Sequence, residues 1–241
     1  MLFAEWRLVF TGPADGYVNM AIDEATLTLV RERRVPPTVR IYSWAEPCYT
    51  VGYLQRISQL HLAHLRHAEC RCVRRLTGGR ACLHGGDLSY SLVVSLTDTL
   101  LPANIVASYE RISAGVIEGL RLLGIDARYA APVEVQMHGR PIATAAQARR
   151  QGVLLHQGTI ALKPCALDAE QILPPGQALT PISELGGGEI DVEQGAQALG
   201  MGLERALGVD LSQSILFAKE KRLARQLWRE KYMRPEWNLA R

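Results

Sequence analysis

Arg74-Arg75-Leu76-Thr77-Gly78-Gly79-Arg80-Ala81-Cys82-Leu83-His84-Gly85-Gly86-Asp87-Leu88-Ser89-Tyr90-Ser91 is the densest stretch of the 241-residue sequence. It reads as a strand that delivers two arginines to a glycine turn, then a histidine, a second glycine turn and a buried strand. Paired glycines let backbone amides approach a ligand closely. Guanidinium groups match the oxygens of phosphates and carboxylates. The pattern points to an anion-bearing ligand, such as a nucleotide or an activated acyl group. It fits equally a plain strand–turn–strand with solvated arginines, because loop glycines commonly serve turns.

Working outward, residues 5–10 read as a strand and 19–33 as a helix that Pro36-Pro37 ends. Residues 38–44 and 48–53 are β-branched and aromatic, as strands are, with a turn at Glu46-Pro47 between them. A short helix is expected over 57–67 and strands over 70–76 and 88–96. Ile105, Tyr109, Ile112, Val116, Leu120 and Leu123 form a helical stripe over 104–123, with Gly124 as its stop. Three short strands follow, near 127–130, 133–137 and 153–162, then a loop over 174–188. Asp191 with Gln194 opens a helix that ends at Gly208, and a last helix covers 217–232. The interleaving predicts an α+β (mixed α/β) fold: one domain over residues 1–241, a mixed sheet flanked by helices, and a helical C-terminal part from about 190.

A second stretch is Gly139-Arg140-Pro141-Ile142-Ala143-Thr144-Ala145-Ala146-Gln147, continuing to Leu155-His156-Gln157-Gly158-Thr159-Ile160. Small residues over 143–146 let chain or ligand come close, and Gln147 and His156 offer hydrogen bonds. A tightly packed hairpin with a satisfied histidine accounts for the same residues.

Composition sets the limits. With 48% apolar and 21% charged residues the chain is globular rather than disordered. Five cysteines (Cys48, Cys70, Cys72, Cys82, Cys165) lack a disulfide framework and fit a reducing compartment. The N-terminal stretch carries Glu5 and Arg7, unlike a signal peptide, and no apolar run is long enough to span a membrane. A cytoplasmic protein is expected. Arginine and lysine total 27, of which only Lys163, Lys219, Lys221 and Lys231 are lysines. Any mechanism needing an amine before residue 163 is thereby excluded. No phosphate-loop or dinucleotide fingerprint occurs, and no aromatic-interleaved basic stripe suggests nucleic acid. His61, His64 and His67 share a spacing of three without a carboxylate or cysteine partner, and Cys70 and Cys72 lack zinc spacing, so no metal is expected.

Together the two stretches resemble the superfamily of lipoate–protein ligases, octanoyltransferases and biotin–protein ligases. The first resembles its RRxTGG-x-A-x-x-H signature, and other segments agree in order: Asn19-Met20-Ala21-Ile22-Asp23-Glu24, Arg40-Ile41-Tyr42-Ser43-Trp44, Thr50-Val51-Gly52-Tyr53, Ala145-Ala146-Gln147, His156 to Ile160, and Glu230-Lys231-Tyr232 with Trp237-Asn238. Arg80 after the glycines is closest to the cysteine-dependent octanoyltransferase branch. The resemblance implies a biotin/lipoate ligase-like catalytic core. It implies an octanoyl or lipoyl substrate, no tightly bound cofactor, and transfer from acyl carrier protein to a lysine of a lipoyl domain or glycine-cleavage H protein. By position, Arg74, Arg75, Thr77, Gly78, Gly79 and His84 would frame the acyl or nucleotide group, with Gln147, His156, Gly158 and Thr159 on the opposite wall.

The resemblance breaks at the reactive positions. Pro141 stands where the family has its lysine. The insertion that carries the octanoyltransferase cysteine is missing between Ala130-Ala131-Pro132 and Val135, and the other transferase branch's cysteine turn reads Pro174-Pro175-Gly176. The family's usual second histidine reads Gln157. Three readings follow. In the first, Cys82 is a relocated nucleophile, its thiol activated by Arg75, Arg80 and His84; a buried apolar cysteine is the alternative for that residue. The second is an ATP- and magnesium-dependent lipoate ligase, and the third a non-catalytic homologue that binds acyl groups or lipoyl domains.

Overall fold

The computed structural model describes residues 5–59, 68, 70–97 and 101–240. The chain runs through β1 (Trp6–Ala14), α1 (Gly16–Arg31), β2 (Thr38–Trp44), β3 (Cys48–Val51), β4 (Arg71–Arg74), β5 (Cys82–His84) and β6 (Asp87–Ser95). Helix α2 (Ile105–Leu122) leads to β7 (Arg128–Ala130), β8 (Glu134–Met137), β9 (Arg140–Arg150) and β10 (Val153–Ala161). Then come α3 (Ala169–Ile172), α4 (Val192–Leu207), β11 (Leu211–Ser214), α5 (Ala218–Leu227) and α6 (Pro235–Asn238). Eight strands form a mixed sheet in the order β11-β1-β2-β6-β10-β9-β8-β7, and β4-β3-β5 form a small second sheet.

The ends of the helices follow their sequence signals. Asp15 caps α1 by accepting from the Tyr17 amide at 2.7 Å, and Asp191 caps α4 through Glu193 at 2.8 Å. Gly208 ends α4 in the left-handed conformation at φ 68°. One face of the sheet packs on α2 and α4 through Leu92, Leu154, Ile112, Val116, Leu199 and Leu203. Those two helices cross closely, because a side chain on Gly202 would collide with the Gly115 carbonyl. The other face, with Val93, Val153 and Leu155, packs on α1.

Several elements differ from the sequence reading. The stretch that includes Pro141 is a full strand, β9; its small residues concealed it, and Pro141 is tolerated because the β8–β9 register shifts there. The C-terminal part is not wholly helical, since β11 adds to the large sheet parallel to β1. Four residues with Ser, Gln and Ser among them carry too little apolar patterning to read as a strand. Strands β2 and β3, joined by the Glu46-Pro47 turn, enter different sheets. A 3-10 turn at Ile57–Gln59 falls at the start of the helix expected over 57–67, and the rest of that segment, with His61, His64 and His67, lies outside the described residues.

Candidate active site

A cavity of about 550 Å³ opens between the small sheet and β6, β10 and β9 of the large one. Met20, Tyr42, Trp44 and Tyr109 give it apolar walls, and Ala131, Pro132 and Val133, in the short β7–β8 turn, close one side. Of the anticipated residues Arg75, Gly79, Cys82, His84, Gly158 and Thr159 line it, and Gln157 lines it as well.

The glycine turn reaches the cavity by a close backbone approach. Any side chain on Gly52 would collide with the carbonyls of Gly78 and Gly79, and Gly79 adopts φ 85°. Arg75 leaves β4 into this turn and is buried. Its guanidinium donates to Thr50 Oγ1 at 2.6 Å and to the Gly78 and Arg80 carbonyls at 2.8 Å. All three acceptors are neutral, and no carboxylate pairs with Arg75 among the described residues. Burial pulls its pKa down from the usual arginine range, but a guanidinium stays charged. Arg75 therefore presents a buried positive charge to a cavity whose lining also includes Glu134, in a setting where water screens it little.

His84 stands beside it. The antiparallel β3–β5 register pairs Thr50 with Cys82 and Cys48 with His84. Alternation therefore puts Thr50, Cys82 and His84 on one face. His84 Nε2 lies 3.0 Å from Thr50 Oγ1, and Nδ1 lies 2.7 Å from Asp87 Oδ2. The ring stacks on Trp44 with centroids 3.9 Å apart, and Trp44 Nε1 donates to Ser89 Oγ at 2.9 Å. Burial pushes the Asp87 carboxyl up, but His84, Thr159 and the Gly85 amide more than offset this, so its pKa falls below the ordinary value. Asp87 is ionised at neutral pH and fixes the imidazole. Burial pushes the Cys82 thiol up, and Arg75 opposes that only in part. The resting thiol is protonated.

Gln157 lines the cavity at the centre of a buried polar network. It accepts from Thr77 Oγ1 at 2.7 Å and donates to Asp23 Oδ2 at 2.6 Å. Asp23 is held in turn by Arg40 and Ser91, each at 2.8 Å. Thr77 thus supports the wall from behind through Gln157.

Arg74, Gln147 and His156 are not brought to the cavity. Arg74 turns the other way and donates to the carbonyls of Gly52 and Gln55 at 2.8 and 2.9 Å. Its backbone binds the C-terminal segment: the Arg74 amide donates to Asn238 Oδ1 at 3.1 Å, and Trp237 Nε1 donates to the Arg74 carbonyl at 3.0 Å. His156 sits on the opposite face of β10 from Gln157 and Thr159, as the period of two requires. It lies 3.1 Å from both Tyr90 Oη and Gln147 Nε2, and burial lowers its pKa to about 3. It is a neutral core histidine. Gly158 shares that face but has no side chain, and the Tyr90 ring fills the space one would occupy.

Thr50, Asp87, Asp23 and Trp44 were not singled out as site residues in the sequence. Asp87 had a readable signal, an acid three positions after a histidine across a glycine turn. Thr50 had none, since only the pairing of β3 with β5 brings it to His84. Among the described residues no group of three or more His, Cys, Asp and Glu is arranged to hold a metal ion.

The lipoyl protein ligase A/B catalytic domain model matches residues 15–204. The chain belongs to this family. It is 34% identical to an octanoyltransferase of Kyrpidia tusciae over 97% of this chain and 98% of the relative. It is 32% identical to an octanoyltransferase of Geobacillus kaustophilus over 98% of each. A chain from the structural analysis of a bi-partite lipoate protein ligase and its E2 lipoyl domain from Thermoplasma acidophilum superposes with a TM-score of 0.82. It is 25% identical and covers 99% of this chain and 98% of its own. The lipoate-ligase fold and the acyl-transferring class of enzyme follow. The Geobacillus match runs over 276 positions, at least 35 more than the 241 residues here can fill, so that octanoyltransferase relative carries positions this member lacks. Pro141 lines the cavity at the place expected of the family lysine. Arg140 instead lines a neighbouring cleft with Lys163. Arg75 and Arg80 are the basic residues among the described ones that line the cavity itself.

Proposed function

We propose that the protein transfers an octanoyl or lipoyl group from an acyl-carrier thioester to the lysine of a lipoyl domain or glycine-cleavage H protein, with Cys82 as the acyl-accepting thiol. The observation that carries this reading is the buried guanidinium of Arg75, unpaired with any carboxylate among the described residues, in the wall of an apolar cavity that Cys82 also lines. No described lysine lines that cavity, so Arg75 supplies the positive charge for the oxyanion that forms as the thioester carbonyl is attacked.

Strand register and hydrogen bonds together mark the proton path. Cys82 faces Thr50, whose hydroxyl reaches His84, which Asp87 orients. As the Cys82 sulfur bonds to the acyl carbon, its proton passes through Thr50 to His84 Nε2. The bond from the acyl carbon to the carrier sulfur breaks, and the departing thiolate takes the proton back. In the second half the acceptor amine forms the amide, the bond to Cys82 breaks, and the amine's proton returns to the Cys82 thiolate. This needs no tightly bound cofactor. Free thiols at a reactive position and a thioester donor suit the cytoplasm, and no helix among the described residues is long and apolar enough to cross a membrane.

Intact-mass spectrometry of the protein with octanoyl-acyl carrier protein tests the reading. One octanoyl adduct is expected, lost when a lipoyl domain is added and absent in Cys82→Ser. Undiminished transfer by Cys82→Ser removes the nucleophile. Acylation from free lipoate with ATP and magnesium alone replaces the transferase with a ligase. Tight octanoyl binding without turnover leaves a non-catalytic binder.

A further inference from the structure

Helix α1 separates the cavity from a second concavity on its far side. Val18, Ile22, Ala224 and Trp228 form the apolar floor of this groove of about 620 Å³, and Lys221, Arg225 and Arg229 form its rim. All three basic residues are exposed and make no ion pair among the described residues. Glu220, the acidic residue of α5, is buried against Arg7 at 2.8 Å and does not neutralise the rim. Glu230 lies in the following turn, hydrogen-bonded by Gln226 at 2.9 Å, and does not line the groove. A concave apolar floor of buried and half-buried residues with a one-sign rim calls for an occupant with an apolar stripe between acidic flanks. A flat bilayer surface cannot fill a concave floor, and a nucleic-acid backbone offers it nothing apolar. An amphipathic acidic helix satisfies both halves.

We propose that this groove docks the acidic, apolar-striped helix of the acyl carrier protein that delivers the acyl thioester. The proposal rests on the donor being carrier-bound, as in the function proposed above. Position supports it: Met20 lines the cavity, while its helix neighbours Val18 and Ile22 line the groove. A single helix, about 10–12 Å across, stands between them. A carrier seated there lies one helix width from the cavity.

The test is the triple variant K221E/R225E/R229E in the full chain, with K221Q/R225Q/R229Q as the milder form. Binding of octanoyl-acyl carrier protein, read by fluorescence anisotropy, is expected to weaken at least tenfold in the first and less in the second. Wild-type binding is expected to weaken with salt. The KM for the carrier-bound donor rises in parallel, while kcat/KM for octanoyl-pantetheine stays at the wild-type value. Wild-type carrier binding in the Glu variant overturns the proposal. So does a variant that loses lipoyl-domain binding but keeps the carrier, or a wild-type groove that binds phosphatidylglycerol vesicles or an oligonucleotide and not the carrier. Carrier binding lost in the variant, with no transfer from either thioester by the wild type, upholds the docking surface and removes the proposed reaction.

Discussion

Arg74 and Arg75 are consecutive, both buried, and do opposite work. Arg74 spends its side chain and its backbone on carbonyls of the 52–55 turn and on Trp237 and Asn238, so it joins the glycine turn to the C-terminal segment. Arg75 lines the cavity, satisfied by three neutral oxygens and in no ion pair with a carboxylate among the described residues. The end of β4 at Arg74 makes the first a structural clamp and sends the second, one residue on, into the turn as a source of field. The way to break this contrast is to remove each charge separately. Arg75→Gln keeps hydrogen-bonding capacity for Thr50 but loses the cation, and kcat is expected to fall about 100- to 1,000-fold. The Gly78 and Arg80 carbonyls lose their guanidinium donor, so denaturant unfolding should also show some loss of stability and kcat is read per folded molecule. A fall of less than tenfold in kcat would mean that the oxyanion is held elsewhere.

Arg74→Met should give the reverse result. It removes the guanidinium donor from the Gly52 carbonyl, which keeps the Gln55 amide, and from the half-buried Gln55 carbonyl, at roughly 1–3 kcal/mol in total. Chemical denaturation reads that loss, while kcat per folded molecule should change little. Equal effects of the two variants on stability and on rate would erase the division of labour.

His84 and His156 extend the comparison to a second pair. His84 is tied to the ionised Asp87 in the cavity wall, whereas His156 is neutral among Tyr90, Gln147 and Tyr109. Since burial takes the folded pKa of His156 to about 3 against an ordinary 6.5, the unfolded chain binds a proton below pH 6.5 that the folded chain refuses. That contribution to stability is complete above pH 6.5 and is lost as pH falls toward 3, at ~1.4 kcal/mol per pH unit. Asp87, with its pKa below the ordinary value, adds its own loss only below the usual carboxylate range. Comparing the unfolding of wild type and His156→Gln between about pH 5 and 6 therefore isolates His156 by difference. His156→Gln should remove about one proton's worth of slope there, and an unchanged slope would show that the ring is protonated in the fold.

These pairs also mark what the sequence could carry. Motif order pointed to the fold, and the α2 stripe, the Asp191 cap and the Gly208 stop agree with the structure to within a residue. The glycine turn was legible as a place where backbone and arginine meet a ligand. Which arginine would face it was not, because that depends on where β4 ends relative to the turn. Placing Gly158, Thr159 and His156 on one wall overlooked the same alternation. Thr50 could not be read at all, since its value lies in a cross-strand register between β3 and β5, thirty residues apart. Local chemistry is written in the sequence, but the direction a side chain faces is settled by pairing.

Pro141 gives the smallest and sharpest test of the claim for Arg75. The proline sits at the β8–β9 register shift, and its carbonyl accepts from the Thr180 amide at 2.8 Å. Lysine can keep that carbonyl and gains an amide the irregular register need not use, so Pro141→Lys should fold. Its ammonium would enter a cavity already lined by an unneutralised guanidinium. Repulsion between like charges then offsets part of any added oxyanion stabilisation. If Arg75 already supplies the cation, kcat for octanoyl transfer should change by less than about threefold, a small fraction of what a missing oxyanion partner is worth. A gain of a hundredfold would show that the vacant lysine position limits this protein and that Arg75 had not replaced it.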